Sequence, residues 1–103
     1  MVDRVRNANV AVGATGVPIA AELLPKQRQV IVITNISTGG QTITINVGDQ
    51  AQTVGYGIVL APGGSWQESV SENFWPSEKD YWAIASAVGG TVAVFERVKA
   101  DSE

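Results

Sequence analysis

The sequence predicts an all-β fold: a single antiparallel β-sandwich, jelly-roll or immunoglobulin-like, of about seven or eight short strands. Three observations predict it. Val, Ile and Thr fill 30 of the 103 positions while Leu fills three, and β-branched side chains suit a pleated surface and lose rotamer freedom in helices. Several segments alternate apolar and polar residues with a period of two. Turn-forming Gly and Pro separate them at the close spacing typical of sandwiches and small barrels.

The elements follow in order. Asn9 to Val12 reads as a first strand, and the glycines at 13 and 16 as a loop after it. Ile19 to Leu24 lies between Pro18 and Pro25, which confine it to one turn of helix or an irregular crossing. Residues 28–36 form a nearly continuous apolar run, the pattern of a strand covered on both faces. Residues 41–47 alternate, with Ile43, Ile45 and Val47 on the core face. The glycines at 39 and 40 supply the positive φ of a tight turn and predict a hairpin between these two strands. A short strand surrounds Ile58-Val59-Leu60, and Pro62-Gly63-Gly64 ends it in a turn. Residues 65–71 place Trp66 and Val70 on one face. Residues 80–88 and 91–98 form a second predicted hairpin through Gly89-Gly90, with Trp82 and Ile84 facing the core. The organisation expected is an arm or first strand over 1–15, the sandwich over 16–98, and a polar tail over 99–103.

Composition excludes much chemistry. There is no Cys and no His, so a disulfide, a thiolate nucleophile, a Cys-ligated metal and the usual neutral-pH general base are all absent. Charged residues are 17% and the net charge is -3, which offers no basic field to nucleic acid. The polar start and short apolar runs predict a soluble protein made in a cytoplasm, with no signal peptide and no membrane helix. Glu78 and Asp80 flank Lys79 in a predicted solvent-exposed loop, and Glu68 falls on the polar side of its strand, so no pair of carboxylates is placed for catalysis. Asp49 stands alone where a calcium loop needs several acids. No cofactor is expected.

Two motifs read as chance. Val10-Ala11-Val12-Gly13-Ala14-Thr15-Gly16-Val17 imitates a dinucleotide-binding turn, but Pro18-Ile19 stands where the third glycine belongs and no helix pattern follows. Asn35-Ile36-Ser37 matches a glycosylation sequon in a chain without an export signal.

The aromatic residues carry the positive signal. Trp66, Phe74, Trp75, Tyr81 and Trp82 crowd around a proline-containing loop. Trp66 and Trp82 fit the core. Phe74, Trp75, Pro76 and Tyr81 fit a contact surface, because Trp and Tyr are favoured at interfaces. The N-terminal arm with Val5 and Val10 is the second candidate contact, reaching a neighbouring copy. Low charge in so apolar a chain implies surface that is covered in the working state.

The segments Val32-Ile33-Thr34-Asn35, Gly57-Ile58-Val59-Leu60-Ala61-Pro62-Gly63-Gly64-Ser65, Tyr81-Trp82-Ala83-Ile84-Ala85-Ser86 and Thr91-Val92-Ala93-Val94-Phe95-Glu96 together resemble small β-sandwich structural proteins of tailed phages and related viruses. The resemblance implies a non-enzymatic capsid decoration, cement, head-fibre or minor capsid protein in the virion. It implies a symmetric homo-oligomer, a trimer or another assembly, bound to the major capsid or another virion protein, with neither nucleic acid nor membrane as partner. The longer loop over 73–80 departs from that pattern. The alternative expectation is a carbohydrate- or surface-binding module, with Trp75 and Tyr81 stacking on sugars.

Overall fold

The computed structural model describes residues 4–48 and 53–99. Asp49, the first three residues of the predicted arm, and residues 100–103 of the polar tail lie outside the described residues. The strands are β1 (Arg4–Val12), β2 (Val17–Ala20), β3 (Arg28–Asn35), β4 (Ile43–Val47), β5 (Ile58–Leu60), β6 (Ser65–Ser69), β7 (Tyr81–Ala85) and β8 (Gly90–Val98). They form two antiparallel sheets, ordered β1-β8-β3-β6 and β2-β7-β4-β5. This order is that of a jelly roll, which decides between the two sandwiches the sequence leaves open.

Both predicted hairpins are overturned. β3 and β4 lie in different sheets, and so do β7 and β8. The Gly-rich turns at 36–42 and 86–89 carry the chain across the core from one sheet to the other. A turn signal reports that the chain reverses; it does not report that the two strands pair.

The core is made by inward alternation from both sheets. Ile31 and Ile33 of β3 and Val92 and Val94 of β8 meet Ile43 and Ile45 of β4 and Ala83 and Ala85 of β7, all buried. The half-buried strand predicted at 41–47 is present with its three apolar residues inward: Ile43 and Ile45 are buried and Val47 packs against them. Three expectations change. β3 is fully covered on one face only, with Val30, Val32 and Thr34 half-buried on the other. In β7 it is Tyr81, Ala83 and Ala85 that face the core, while Trp82 shares the outer face with Ile84. Val70 lies beyond the end of β6 and is exposed. The stretch between Pro18 and Pro25 is a short strand followed by an irregular crossing.

The outer face of the second sheet is not bare. Gly55 N donates to Thr44 Oγ1 and Asn46 Nδ2 donates to Tyr56 O, both at 2.9 Å. Residues 53–57 thus lie over the sheet, and Thr44 and Ile84 are buried although they point away from the core.

The sandwich has two ends and two sides. One end carries the start of β1 and β3, the finish of β8, and the loops at 21–27, 53–57 and 70–80. The opposite end carries the loops at 13–16, 36–42, 61–64 and 86–89. On one side the unpaired edges are β1 and β2; on the other they are β5 and β6.

Candidate assembly surfaces

The first end is closed by a buried ion pair that the sequence reading missed. Arg28 is fully buried, and its Nε donates to Glu96 Oε2 at 2.6 Å. Its Nη1 donates to the carbonyls of Ser77 and Lys79, and its Nη2 to that of Ala21 at 2.7 Å. One guanidinium therefore fixes two loops to the strand, using the fork of donors that arginine alone offers. Arg6 adds a second donor to Glu96 at 3.1 Å and bonds the Ile19 carbonyl across to β2 at 2.8 Å. The signal available was parity: Glu96 shares the inward face of Val92 and Val94. Arg28 gives no such signal, because a register shift between Arg28 and Val30 breaks the alternation.

Tyr81 sits beneath this network, with the Arg28 guanidinium carbon 4.8 Å from its ring centroid and the Trp66 ring 5.9 Å away. Its hydroxyl is buried without a hydrogen-bond partner. Burial, with the nearby Glu68 carboxylate second, pushes its pKa from 10.0 up to about 12. Glu68 is half-buried on the same inward-facing side of β6 as Trp66, not on a polar side.

The predicted contact residues therefore separate. Tyr81 and Pro76 are buried within the chain and present no surface, so a sugar platform of Trp75 and Tyr81 does not form. Phe74 and Trp75 are partly exposed, at 43% and 37%. Lys26 Nζ lies 4.6 Å from the Trp75 ring centroid, in a Leu24–Gln27 turn that also exposes Leu24. Val5 is exposed on the outer face of β1, and Val10 packs inward against the core. The arm segment from Arg4 onward pairs along its whole length with β8 of its own chain. Glu78 and Asp80 are half-buried rather than free in solvent, and Asp80 Oδ2 accepts from Trp82 Nε1 at 2.6 Å. No group of three acids able to hold a metal occurs among the described residues.

Between the edges β1 and β2 at this end lies an apolar cleft of about 600 Å³. Pro18, Ile19, Ala20, Leu23 and Val98 line it together with the charged Arg4, Arg6 and Glu96. Arg6 is engaged with Glu96; Arg4 is exposed, with no partner among the described residues.

The opposite end has a different chemistry. Its four loops, 13–16, 36–42, 61–64 and 86–89, contain no charged residue. Every charged residue among the described ones lies at or beyond the level of Arg6, Glu68 and Glu96, toward the first end. These uncharged loops are tied together. Asn35 is fully buried; its Nδ2 donates to the carbonyls of Gln41 and Leu60, both at 2.9 Å, and its Oδ1 accepts from Ser37 N at 3.0 Å. Gln41 Nε2 donates to the Val88 carbonyl at 2.9 Å, and Thr42 N donates to Ser86 Oγ at 3.0 Å. Val88 itself is 76% exposed.

No family model matches the chain, and no curated protein matches it. Among solved structures it resembles a chain of the Bacillus endospore appendages, described as a novel family of disulfide-linked pili. The TM-score is 0.59 at 19% identity, over 97% of this chain and 88% of that one. At that identity the likeness is one of fold alone.

Proposed function

We propose that this chain is a non-enzymatic structural subunit that assembles with copies of itself through the sides of its sandwich. The observation that carries the reading is the pair of open sides. Each sheet ends in edge strands with unpaired backbone donors and acceptors, and the β5 and β6 side, Ile-Val-Leu and Ser-Trp-Gln-Glu-Ser, has a single charged residue. Monomeric β proteins usually guard such edges with lysine, proline or bulges. The β1 and β2 side of one copy set against the β5 and β6 side of the next makes a heterologous contact, which repeats into a ring or an open filament. The fold likeness to a pilus protein supports the polymeric form. These 103 residues contain no cysteine, so no disulfide joins them, unlike the subunits of disulfide-linked pili.

The finer reading, a decoration or cement protein on a viral shell in the virion, keeps the homo-oligomer and adds a shell partner; it is supported by the segment resemblance alone. Co-sedimentation with shells lacking the protein tests it, and absence of binding removes it.

Sedimentation velocity over a wide concentration range, with electron microscopy of the concentrated sample, tests self-assembly. The expected result is mass action into rings or filaments. A single monomeric species at every concentration overturns the reading.

A further inference from the structure

The two edges of the first sheet, β1 and β6, match each other in direction, in backbone and in charge. The sheet is antiparallel throughout and has four strands, so its edge strands run in opposite directions. A second copy set beside the first in the same orientation therefore lays its β1 antiparallel to β6.

The backbone groups fall in step. Val70 N donates to the Gln29 carbonyl at 2.7 Å. Alternation along that ladder turns the N–H and C=O groups of Trp66 and Glu68 toward β3, and those of Ser65, Gln67 and Ser69 toward the open edge. Ile36 N donates to the Thr91 carbonyl at 3.0 Å. The same alternation, carried through β8, turns Arg6 and Ala8 toward β8, and Val5, Asn7 and Asn9 toward the other open edge. The rows of the sheet relate the two sets. Arg6 lies beside Glu96, Glu96 beside Ile31, and Ile31 beside Glu68. Continued into the next copy without a shift, the rows put Ser65 against Asn9, Gln67 against Asn7 and Ser69 against Val5. Each of these contacts joins two outward-facing backbones, as a hydrogen-bonded pair requires.

We infer that β6 of one copy pairs antiparallel with β1 of the next in this register, with Glu68 directly opposite Arg6. The inference rests on the self-assembly reading and gives it a strand pair, a direction and a register.

Charge selects this pair of edges. Glu68 is the charged residue of β6, and Arg4 and Arg6 are those of β1. In this register Glu68 and Arg6 form a non-hydrogen-bonded pair, the kind whose side chains lie closer, and Arg4 is the diagonal neighbour of Glu68. Arg4 and the Nη1 of Arg6 have no partner among the described residues. Trp66 falls opposite Ala8, a large side chain against a small one. Pairing β1 with another β1 would gather arginines with no acid from the partner edge, and pairing β6 with β6 would bring no cation to Glu68. The second sheet offers a poorer ladder. β2 has four residues and includes Pro18, which has no N–H to donate, and β5 has three.

The test uses single cysteines in the full chain, which has none of its own. Q67C is mixed in turn with V5C, N7C and N9C in a glutathione redox buffer; all four side chains are exposed. In the inferred register the Cα atoms of residues 67 and 7 lie about 5.5 Å apart across the joint, within disulfide range. Residues 5 and 9 are diagonal to 67, at about 7–8 Å. Q67C with N7C is expected to give several-fold more disulfide heterodimer than either other mixture. E68K, which sets an ammonium against Arg6 and Arg4, is expected to raise the concentration for half-association about tenfold or more. Its denaturation midpoint checks that it folds, and the cysteine mixtures test the register independently of it. Strongest coupling to V5C or N9C, or heterodimer no more abundant than Q67C coupled to itself, overturns the inference. So does a folded E68K that associates like the wild type. In those cases an associating wild type leaves the self-assembly reading standing. A monomeric wild type removes that reading and the inference with it.

Discussion

Arg28 Nε stands 2.6 Å from Glu96 Oε2, with both side chains withdrawn from solvent between the two sheets. The pair joins strands distant in sequence and also fixes the loops that close the sandwich. A buried charge is tolerable here because its donors are used: Nε on the carboxylate, Nη1 and Nη2 on carbonyls.

Arg28→Met is therefore expected to cost about 3–5 kcal/mol, because it leaves Glu96 buried with only the half-exposed Arg6. The double variant Arg28→Met, Glu96→Leu is expected to recover much of that loss. Arg6→Ala is expected to cost under about 1 kcal/mol, since its side chain is 42% exposed and screened. Urea unfolding of the four proteins measures these differences. A double variant no better than Arg28→Met would show that loop fixing, not charge burial, dominates.

Tyr81 gives stability an alkaline limit. Its pKa is 10.0 when unfolded and about 12 when folded, so the folded state holds a proton that the unfolded state releases between those values. Stability is then fully present below about pH 10 and falls as pH rises toward 12. Tyr81→Phe removes an unpartnered buried hydroxyl, so it is expected to change neutral stability by less than about 1 kcal/mol and to flatten this alkaline slope. Thermal melts of both proteins from pH 8 to 12 measure it; parallel slopes would refute the assignment.

What was legible in the sequence followed from alternation. Ile43, Ile45 and Val47 show their face directly, and the β-branched composition shows the class. What was illegible depends on which strands meet. The size of Trp82 suggests an inward side chain, yet the small Ala83 and Ala85 face inward opposite isoleucines, and Trp82 is set outward beside Asp80. Tyr81, read as surface, is covered by Arg28 and Trp66, which come from strands of the other sheet. The jelly-roll crossing, invisible to local pattern, decides both. The uncharged end was partly legible: no charged residue occurs over 29–48 or 81–95. Only the topology gathers those stretches into one end.

Asn35 is the residue on which that end depends. Asn35→Ala leaves the Gln41 and Leu60 carbonyls without their side-chain donor and frees Ser37 N, an expected cost of about 2–3 kcal/mol. The effect is expected to be local first. In hydrogen exchange, amides over 36–42 and 61–64 should lose protection more than those of β4 or β8. Uniform loss across all strands would mean that Asn35 supports the core rather than the loops.

Gly57 is the second backbone constraint. Its φ is 141°, and a Cβ there would lie 2.5 Å from the Ile45 carbonyl oxygen and 2.8 Å from Asn46 Nδ2. The chain passes this close to β4 because β5 pairs with β4 immediately afterward and because Asn46 holds the Tyr56 carbonyl. Gly63 also has a positive φ, 83°, but no atom within 4 Å of an added Cβ. Gly63→Ala therefore meets left-handed strain alone, about 1–2 kcal/mol. Gly57→Ala meets the same kind of strain plus a clash with backbone that cannot rotate away, and is expected to cost at least about 3 kcal/mol. It should also release the 53–57 segment from Thr44 and expose the outer face of the second sheet. Denaturation midpoints of the two variants decide it: equal losses would mean that β5 shifts to accommodate the methyl group and that the close approach at Gly57 is not what seats the loop.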